Sequence, residues 1–458
     1  MKQRRHQAEV AERGRMIRAA DRGFSQTILD VVPGGGKSRC ISTLYREAGL
    51  KRKVIWIAPR LSLQSQAVEA AAEGVDGRGT GGLNLAPNLH EYKQDVHDGF
   101  VSNYSMLARN LKEHRMHLWN AQKGAMLVLD EVHHCGVHVG DDRQPAWTAA
   151  VMELQRLRNR HHLLLTGTPY RGDRRPVYGM AYGEDGQLVR DSHVITYGRR
   201  DACKDHAITP NRMYWLDGPT TFSIQEKGES VTYHLNSFRE LYEGKMTRRK
   251  ERLARAALRA FLRYGSQETV HRPAIMQAWR DLQTHRNRGF KGAQLIVTVD
   301  SQGLAAELRD WMQRQGIRTA LAVSDFHAAL EEVTDFRLGR SYDALVTVGM
   351  AYEGLDAPYV THLVHLGRIR QPAWLMQYFA RAWRWGTRDW PNNRKRRTFI
   401  YAPCDPSMLF AVRTIDRDTL GEAAPALVDV EPEESFGRKV EDAGWSGRLA
   451  AVTPGLIF

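Results

Sequence analysis

The chain has 458 residues, 42% of them hydrophobic and 26% charged. That length and mixture exclude a wholly disordered chain, a collagen-like repeat and a disulfide-stapled miniprotein, and they leave room for roughly two to four domains with sizeable cores. Lys and Arg total 66 against 52 Asp and Glu, and the resulting net charge of +14 favours a polyanionic partner without naming one.

Residues 28–32 read as an apolar strand that ends in a glycine loop. Further strands are expected over residues 54–58, 100–102, 126–129 and 162–166, each ending in polar or glycine-containing residues, with helical patterns between them. Alternation of this kind predicts a parallel sheet with helices on its faces, and ligands at the carboxyl ends of the strands. A second run follows the same plan. Its strands are expected over residues 294–299, 343–348, 361–366 and 398–401. A helix over 301–314 places Leu304, Leu308, Trp311 and Met312 on one face.

Between the two runs the pattern changes. Residues 178–218 read as short strands and turns, and residues 237–264 as helix. In that helix Leu253, Ala256, Ala257, Ala260, Phe261 and Tyr264 recur at helical spacing, while Arg252, Arg255, Arg259 and Arg263 form a separate stripe. Beyond about residue 405 the chain turns acidic, with nine Asp or Glu against five Lys or Arg in residues 411–458. The expected fold class is therefore α/β. Its plan is a first domain over 1–200, a linker or helical insertion over 201–290, a second domain over 291–405, and an appendage or partly disordered tail over 406–458.

Cys40, Cys135, Cys203 and Cys404 form no C-x-x-C pair, which argues against a zinc ribbon and suits a reducing compartment. No apolar run approaches the roughly 20 residues of a membrane span. Residues 1–18 are basic and polar, without the apolar centre of a signal peptide. The expectation is a soluble, cytoplasmic protein with no membrane contact.

Three segments carry chemistry. The first is Pro33-Gly34-Gly35-Gly36-Lys37-Ser38, directly after a strand and opening a helix. Glycines there let backbone N–H groups approach phosphate oxygens, and a helix N-terminus adds positive character. Lys37 would reach the β- and γ-phosphates, and the Ser38 hydroxyl would ligate Mg²⁺. The strict motif has glycine where Val31 stands, and the plain alternative is a glycine-rich turn. The second segment is Asp130-Glu131-Val132-His133-His134 at another strand end. Asp130 would hold Mg²⁺, and Glu131 would orient or deprotonate an attacking water. Alone, such a pair is more often an exposed acidic turn. The third is Thr166-Gly167-Thr168-Pro169-Tyr170-Arg171, again at a strand end, where small hydroxylated residues relay hydrogen-bond changes.

With these three in order, the chain resembles a superfamily 2 helicase or translocase of the DEAD/DEAH-like type, close to the type III restriction subunit and phage-repair branches. Gly34–Ser38, Asp130–His133 and Thr166–Pro169 resemble motifs I, II and III. Arg4-Arg5-His6-Gln7 resembles the upstream motif whose glutamine, here Gln7, reads adenine. Ala58-Pro59-Arg60 resembles motif Ia, and Ser102-Asn103-Tyr104 the motif usually written T-Y. In the second domain, Thr347 to Asp356 resembles motif V and Gln377 to Arg384 motif VI, with Ala380 where the family usually has glycine.

The resemblance implies two tandem RecA-like domains with ATP and Mg²⁺ between them. It assigns Lys37, Asp130, Glu131, Gln377, Arg381 and Arg384 to hydrolysis. It assigns Gln7, Gly34, Gly35, Gly36, Lys37, Ser38, Gly354 and Asp356 to the nucleotide, and Ser38 and Asp130 to Mg²⁺. Nucleic-acid contacts fall to Arg60, Ser102, Asn103, Tyr104 and Thr347, mostly against the backbone. Motifs II and III differ from the Asp-Glu-Ala-Asp and Ser-Ala-Thr of RNA-dedicated enzymes, which favours DNA over RNA. An RNA helicase is the runner-up. A motor subunit whose protein partner supplies nuclease or targeting is the third possibility.

Several features have a plain reading beside a functional one. The spacing of His133, His134, Cys135 and His138 fits no usual zinc pattern. Trp374, Trp383, Trp385 and Trp390 stack on bases or, more commonly, pack a core. The Arg252–Arg263 stripe and Arg394-Lys395-Arg396-Arg397 touch phosphates or merely face water.

Overall fold

A computed structural model describes residues 4–20, 25–50, 53–59, 63–74, 81–120, 125–139, 143–155, 160–171, 175–184, 188–223, 230–239, 247–264, 270–323, 328–348, 355, 357–384, 397–420, 438–439 and 448–452. The chain divides between Asp205 and His206 into two compact units.

The first unit is built on a seven-stranded sheet: β1 (Ser25–Val31), β2 (Val54–Ala58), β3 (Leu85–Ala86), β4 (Gly99–Asn103), β5 (Ala125–Leu129), β6 (Arg160–Thr166) and β7 (Val194–Tyr197). The order is β3-β4-β2-β5-β6-β1-β7, and every pairing is parallel. Strands β2, β4 and β5 are buried at every position, as expected of a parallel sheet covered on both faces. The expected strands are all present, β2 with the expected bounds and the others shifted or lengthened by one to three residues. β3, two residues long, carries too little pattern to be expected as a strand, and β7 falls within residues 178–218, read as short strands and turns.

The helix Arg5–Ala20 was also not expected. Its buried stripe is His6, Val10, Ala11, Gly14 and Ile17, a helical spacing made of small and polar residues that carries little hydrophobic signal. Gly14 explains where the helix docks. A Cβ at that position would lie 2.5 Å from Glu47 Cβ, so the absence of a side chain allows close approach to the helix Lys37–Glu47.

The second unit contains β8 (Asn211–Asp217), β9 (Pro219–Ser223), β10 (Ser230–His234), β11 (Gln294–Val299), β12 (Thr319–Ala322), β13 (Ala344–Val348), β14 (Val360–His365), β15 (Thr398–Pro403), β16 (Arg438–Lys439) and β17 (Arg448–Val452). Its main sheet runs β12-β13-β11-β14-β15-β8-β17-β16. The first six strands are parallel, β17 pairs antiparallel with β8, and β16 antiparallel with β17. β9 and β10 form a separate antiparallel ribbon.

The expected boundaries therefore change. Within the linker or helical insertion expected over 201–290, β8 is a full member of the second sheet, pairing with β15 over Asn211–Leu216. The helices Arg248–Phe261 and His271–Asn287 belong to the same core, where Ala257, Phe261, Ile275 and Leu282 join Leu295, Val297 and Val346. The pairing that makes this one body joins segments almost two hundred residues apart, so local pattern gave no sign of it. Of the helix expected over 237–264, the described residues include the end of a short turn of helix, Leu235–Phe238, and the helix Arg248–Phe261. Its fully buried face is Ala254, Ala257, Leu258, Phe261 and Leu262, about one residue away from the face expected, because Leu258 and Leu262 offer more apolar area than Ala256 and Ala260. Part of the acidic tail, as β16 and β17, adds to the edge of the sheet.

Candidate active site

β5, β6 and β1 are neighbours in the first sheet, and the segments that follow them carry the three motifs read from the sequence. Parallel strands place all three at one edge, the carboxyl ends.

After β1 the chain turns through Gly34, at φ 83°, and Gly36, at φ 94°. The helix Lys37–Glu47 starts directly after Gly36. Both values lie in the left-handed region, which glycine alone enters at little cost. Gly35 is needed for another reason. A Cβ there would lie 2.7 Å from Val31 Cγ1 and 2.8 Å from the Val32 carbonyl oxygen. The loop is also held from outside. Arg4 Nη1 donates to the Gly35 carbonyl at 2.7 Å, and the Arg4 backbone N–H donates to Gln7 Oε1 at 3.1 Å. Gln7 therefore stands beside the loop, with Nε2 3.7 Å from where a Gly36 Cβ would be. His6 stacks on Tyr197 with ring centroids 4.1 Å apart, and Tyr197 lies against Gly35. The resemblance assigned only Gln7 in this group; Arg4, His6 and Tyr197 are supporting residues it had not assigned.

Lys37 Nζ donates to Glu131 Oε1 at 2.6 Å, which joins motif I to motif II. Asp130 is fixed by two donors: the Glu131 backbone N–H at 3.0 Å and the Trp56 indole N–H at 3.3 Å. Burial, then repulsion from Glu131, pushes the Asp130 carboxyl up to about 6, with Lys37 pulling the other way. Glu131 behaves oppositely. Burial would raise it, but Lys37 and then His133 outweigh burial and hold it well below the usual carboxylate range. The two adjacent acids are thus driven apart, the pattern expected where one carboxylate must stay ionised beside another. Glu131 itself sits at φ 48°, a left-handed conformation unusual for a residue with a side chain.

Motif III closes on both other segments. Thr168 Oγ1 and Thr166 Oγ1 lie 3.1 and 3.3 Å from His133 Nδ1, and Glu131 Oε2 lies 3.3 Å from the same nitrogen. A Cβ on Gly167 would lie 2.6 Å from Pro33 Cδ, so this glycine lets motif III touch the phosphate-loop backbone. The sequence suggested a relay there, but not which histidine completes it.

The residues expected to meet nucleic acid are placed differently. Tyr104 is fully buried and its hydroxyl donates to the Asp130 carbonyl at 2.9 Å. Asn103 is buried and caps the following helix, its Oδ1 accepting from the Met106 N–H at 2.9 Å. Ser102 Oγ lies 3.0 Å from His114 Nε2, both buried. Thr347, at the end of β13, is buried and donates to the Ala322 carbonyl at 2.9 Å. All four side chains have internal partners. Arg60 lies outside the described residues.

In the second unit Arg381 Nη1 donates to the Leu355 carbonyl at 2.9 Å, which brings motif VI onto motif V. Gln377 and Arg384 are half-buried; Gly354 and Asp356 lie outside the described residues. Trp383 is core: its indole N–H donates to Asn211 Oδ1 at 2.6 Å on β8. Trp374 is half-buried and stacks on Tyr378. Trp385, Trp390, Arg394, Lys395 and Arg396 are outside the described residues.

A family model for the type III restriction enzyme Res subunit matches residues 1–171. An uncharacterised protein of Mycobacterium tuberculosis, Rv2917, is 26% identical over 358 residues, 76% of this chain and 54% of that protein. The UvrABC system protein B of Edwardsiella ictaluri is 28% identical over 179 residues, 37% of this chain and 25% of that protein. Among solved structures, the ATP-dependent Type ISP restriction-modification enzyme LlaBIII bound to DNA is similar in fold, with a TM-score of 0.54 at 13% identity, covering 93% of this chain and 31% of that one. This chain spans about half the length of the mycobacterial relative. The motifs, the sheets and these relatives define the class: the chain is a helicase-like superfamily 2 protein. Its fold is that of two α/β units of the RecA-like kind, the first carrying the Res-subunit domain.

No helix among the described residues is long and apolar enough to cross a membrane.

Proposed function

We propose that the chain is an ATP-hydrolysing motor that acts on DNA, as a translocase or helicase. The observation that carries this reading is the convergence of Lys37, Glu131 and His133 with Thr166 and Thr168 at the carboxyl ends of three neighbouring strands. The restriction-enzyme description of the matching family, and a similar fold solved bound to DNA, support DNA as the polymer.

The chain's residues divide the work. Gly34, Gly35 and Gly36 present backbone N–H groups to the phosphates at the helix N-terminus. Lys37 leaves Glu131 for the β- and γ-phosphates, and Gln7 reads the base. Glu131, released by Lys37 and still beside His133, orients the attacking water and accepts its proton. The donor set suits Mg²⁺: a hard cation takes oxygen ligands and commonly uses only one or two protein groups beside phosphates and water. Asp130, a buried carboxylate whose charge burial disfavours, fits such an ion, with the Ser38 hydroxyl as the second ligand. Bound there, Mg²⁺ would neutralise charge on the β- and γ-oxygens. Arg381 and Arg384 are proposed to act on the same phosphates, together with Gln377, Gly354 and Asp356. His133, shared by Glu131 and the two threonines, would pass a change at the nucleotide to motif III.

Buried as they are, Ser102, Asn103, Tyr104 and Thr347 would shape a strand-binding surface rather than touch the strand with their side chains; Arg60 remains a proposed direct contact. Movement is tested by ATP-driven displacement of a third strand from duplex DNA. Displacement by wild type and none by Glu131→Gln is the expected result. Hydrolysis stimulated by RNA alone, with no displacement, would move the protein to the RNA reading.

A further inference from the structure

The helix Arg248–Phe261 has two faces of opposite character. Ala254, Ala257, Leu258 and Phe261 lie in the second unit's core beside Ile275 and Leu295. On the other side Arg252, Arg255, Arg259 and Arg263 are exposed. The spacing of three or four residues puts Arg252, Arg255 and Arg259 in one stripe, about 10 Å long at the helical rise, while Arg263 lies just past the helix end.

This arrangement is unfavourable in the free protein. Like charges at i,i+3 and i,i+4 destabilise a helix, and Arg249 and Lys250 stand in the first turn against the helix dipole. The helix has a single acid, Glu251, and it pairs with Arg255. Arg252 and Arg259 have no acidic partner among the described residues. A face kept only for solubility normally mixes both signs; this one concentrates one sign, and a polyanion would relieve the repulsion.

We propose that this face binds the sugar-phosphate backbone of duplex DNA. The stripe matches the axial rise of about three nucleotides of one strand. Guanidinium groups suit phosphate oxygens in fork geometry. The arginines stand in a fixed line on a helix anchored in the core, which suits the regularly spaced phosphates of a duplex better than those of a flexible single strand. Contacts of this kind read no sequence. The surface rests on the DNA-directed function proposed above and adds a second-unit contact outside the helicase motifs.

The test is duplex binding, followed by fluorescence anisotropy, as salt is raised from about 50 to 200 mM, a range over which phosphate contacts dominate the change in affinity. Three proteins are compared: wild type, Arg252→Gln/Arg259→Gln, and a control of equal charge change at exposed positions elsewhere on the unit, Arg314→Gln/Arg340→Gln. Each lost phosphate contact removes about 0.9 from the slope of log K against log salt, so the first variant should lose about 2 while the control keeps the wild-type slope. Its unstimulated ATP hydrolysis should match wild type, which shows that it is folded. Equal slopes in all three proteins, or equal losses in both variants, would overturn the surface and leave the motor reading standing. A wild-type protein that binds no duplex would overturn the surface, and one that binds neither duplex nor single-stranded DNA would overturn the motor reading as well.

Discussion

Lys37 and Glu131 hold one another at 2.6 Å, with side chains only 11% and 23% exposed. Removing one member of such a pair strands the other. Lys37→Ala should therefore weaken nucleotide binding by at least about tenfold, or ~1.4 kcal/mol, as read by titration with a fluorescent ATP analogue. Glu131→Gln should differ, because it leaves the loop and Lys37 in place. Nucleotide binding should persist while hydrolysis slows by about 100-fold to 10,000-fold, the usual contribution of a positioned general base. Equal loss of binding in both variants would contradict the division of roles. His6 gives a prediction in pH. Burial, and then Arg4, push its imidazole down to about 4, against an ordinary value of 6.5. Between pH 6.5 and about 4 the unfolded chain binds the proton and the folded chain does not, so stability is complete above pH 6.5 and falls as pH drops through that window. His271, also pushed down to about 4 by burial, acts in the same direction in the second unit. Urea midpoints at pH 7.5 and pH 5 should fall for wild type, and fall less for His6→Phe.

At the scale of elements, the phosphate loop was legible because everything it needs is local: a strand, glycines, then Lys37 and Ser38. Nine strands, β1, β2, β4, β5 and β6 in the first sheet and β11, β13, β14 and β15 in the second, were legible from short, largely apolar runs, whereas the short strands β3 and β12 were not. The helix Arg5–Ala20 was not, since its buried stripe consists of His6, Val10, Ala11, Gly14 and Ile17. That helix nevertheless positions Arg4 and Gln7 at the loop. Gly14→Val should push it away from Glu47 and Ala48, where an added Cβ meets atoms at 2.5 and 3.0 Å. Nucleotide affinity should then fall by about tenfold although no motif residue has changed. Unchanged affinity in a folded Gly14→Val protein would mean that the helix does not hold the site. The motif around Ser102, Asn103 and Tyr104 shows a different limit. Residue types revealed the motif, but only the fold shows that these side chains point to His114, Met106 and Asp130 rather than outwards.

At the scale of the whole molecule, two units with separate cores replace the four segments read from the sequence. The missing information was non-local. Nothing near Asn211 announces that β8 pairs with β15, or that β17 pairs with β8 from the other side. By linkage, a ligand that binds only the folded state stabilises it, by about 2.7 kcal/mol at a hundredfold excess over its Kd. ATP with Mg²⁺ should therefore raise the thermal transition of the unit that contains Lys37, and Lys37→Ala should abolish that rise. The central claim is that the site at the ends of β1, β5 and β6 hydrolyses ATP in the service of DNA. Its most direct test is steady-state ATP hydrolysis with Mg²⁺, measured alone and with single-stranded DNA, duplex DNA, forked DNA or RNA, for wild type and Glu131→Gln. Turnover stimulated by DNA and lost in the variant is the result predicted. Turnover that ignores every polymer, or that survives Glu131→Gln, would contradict it.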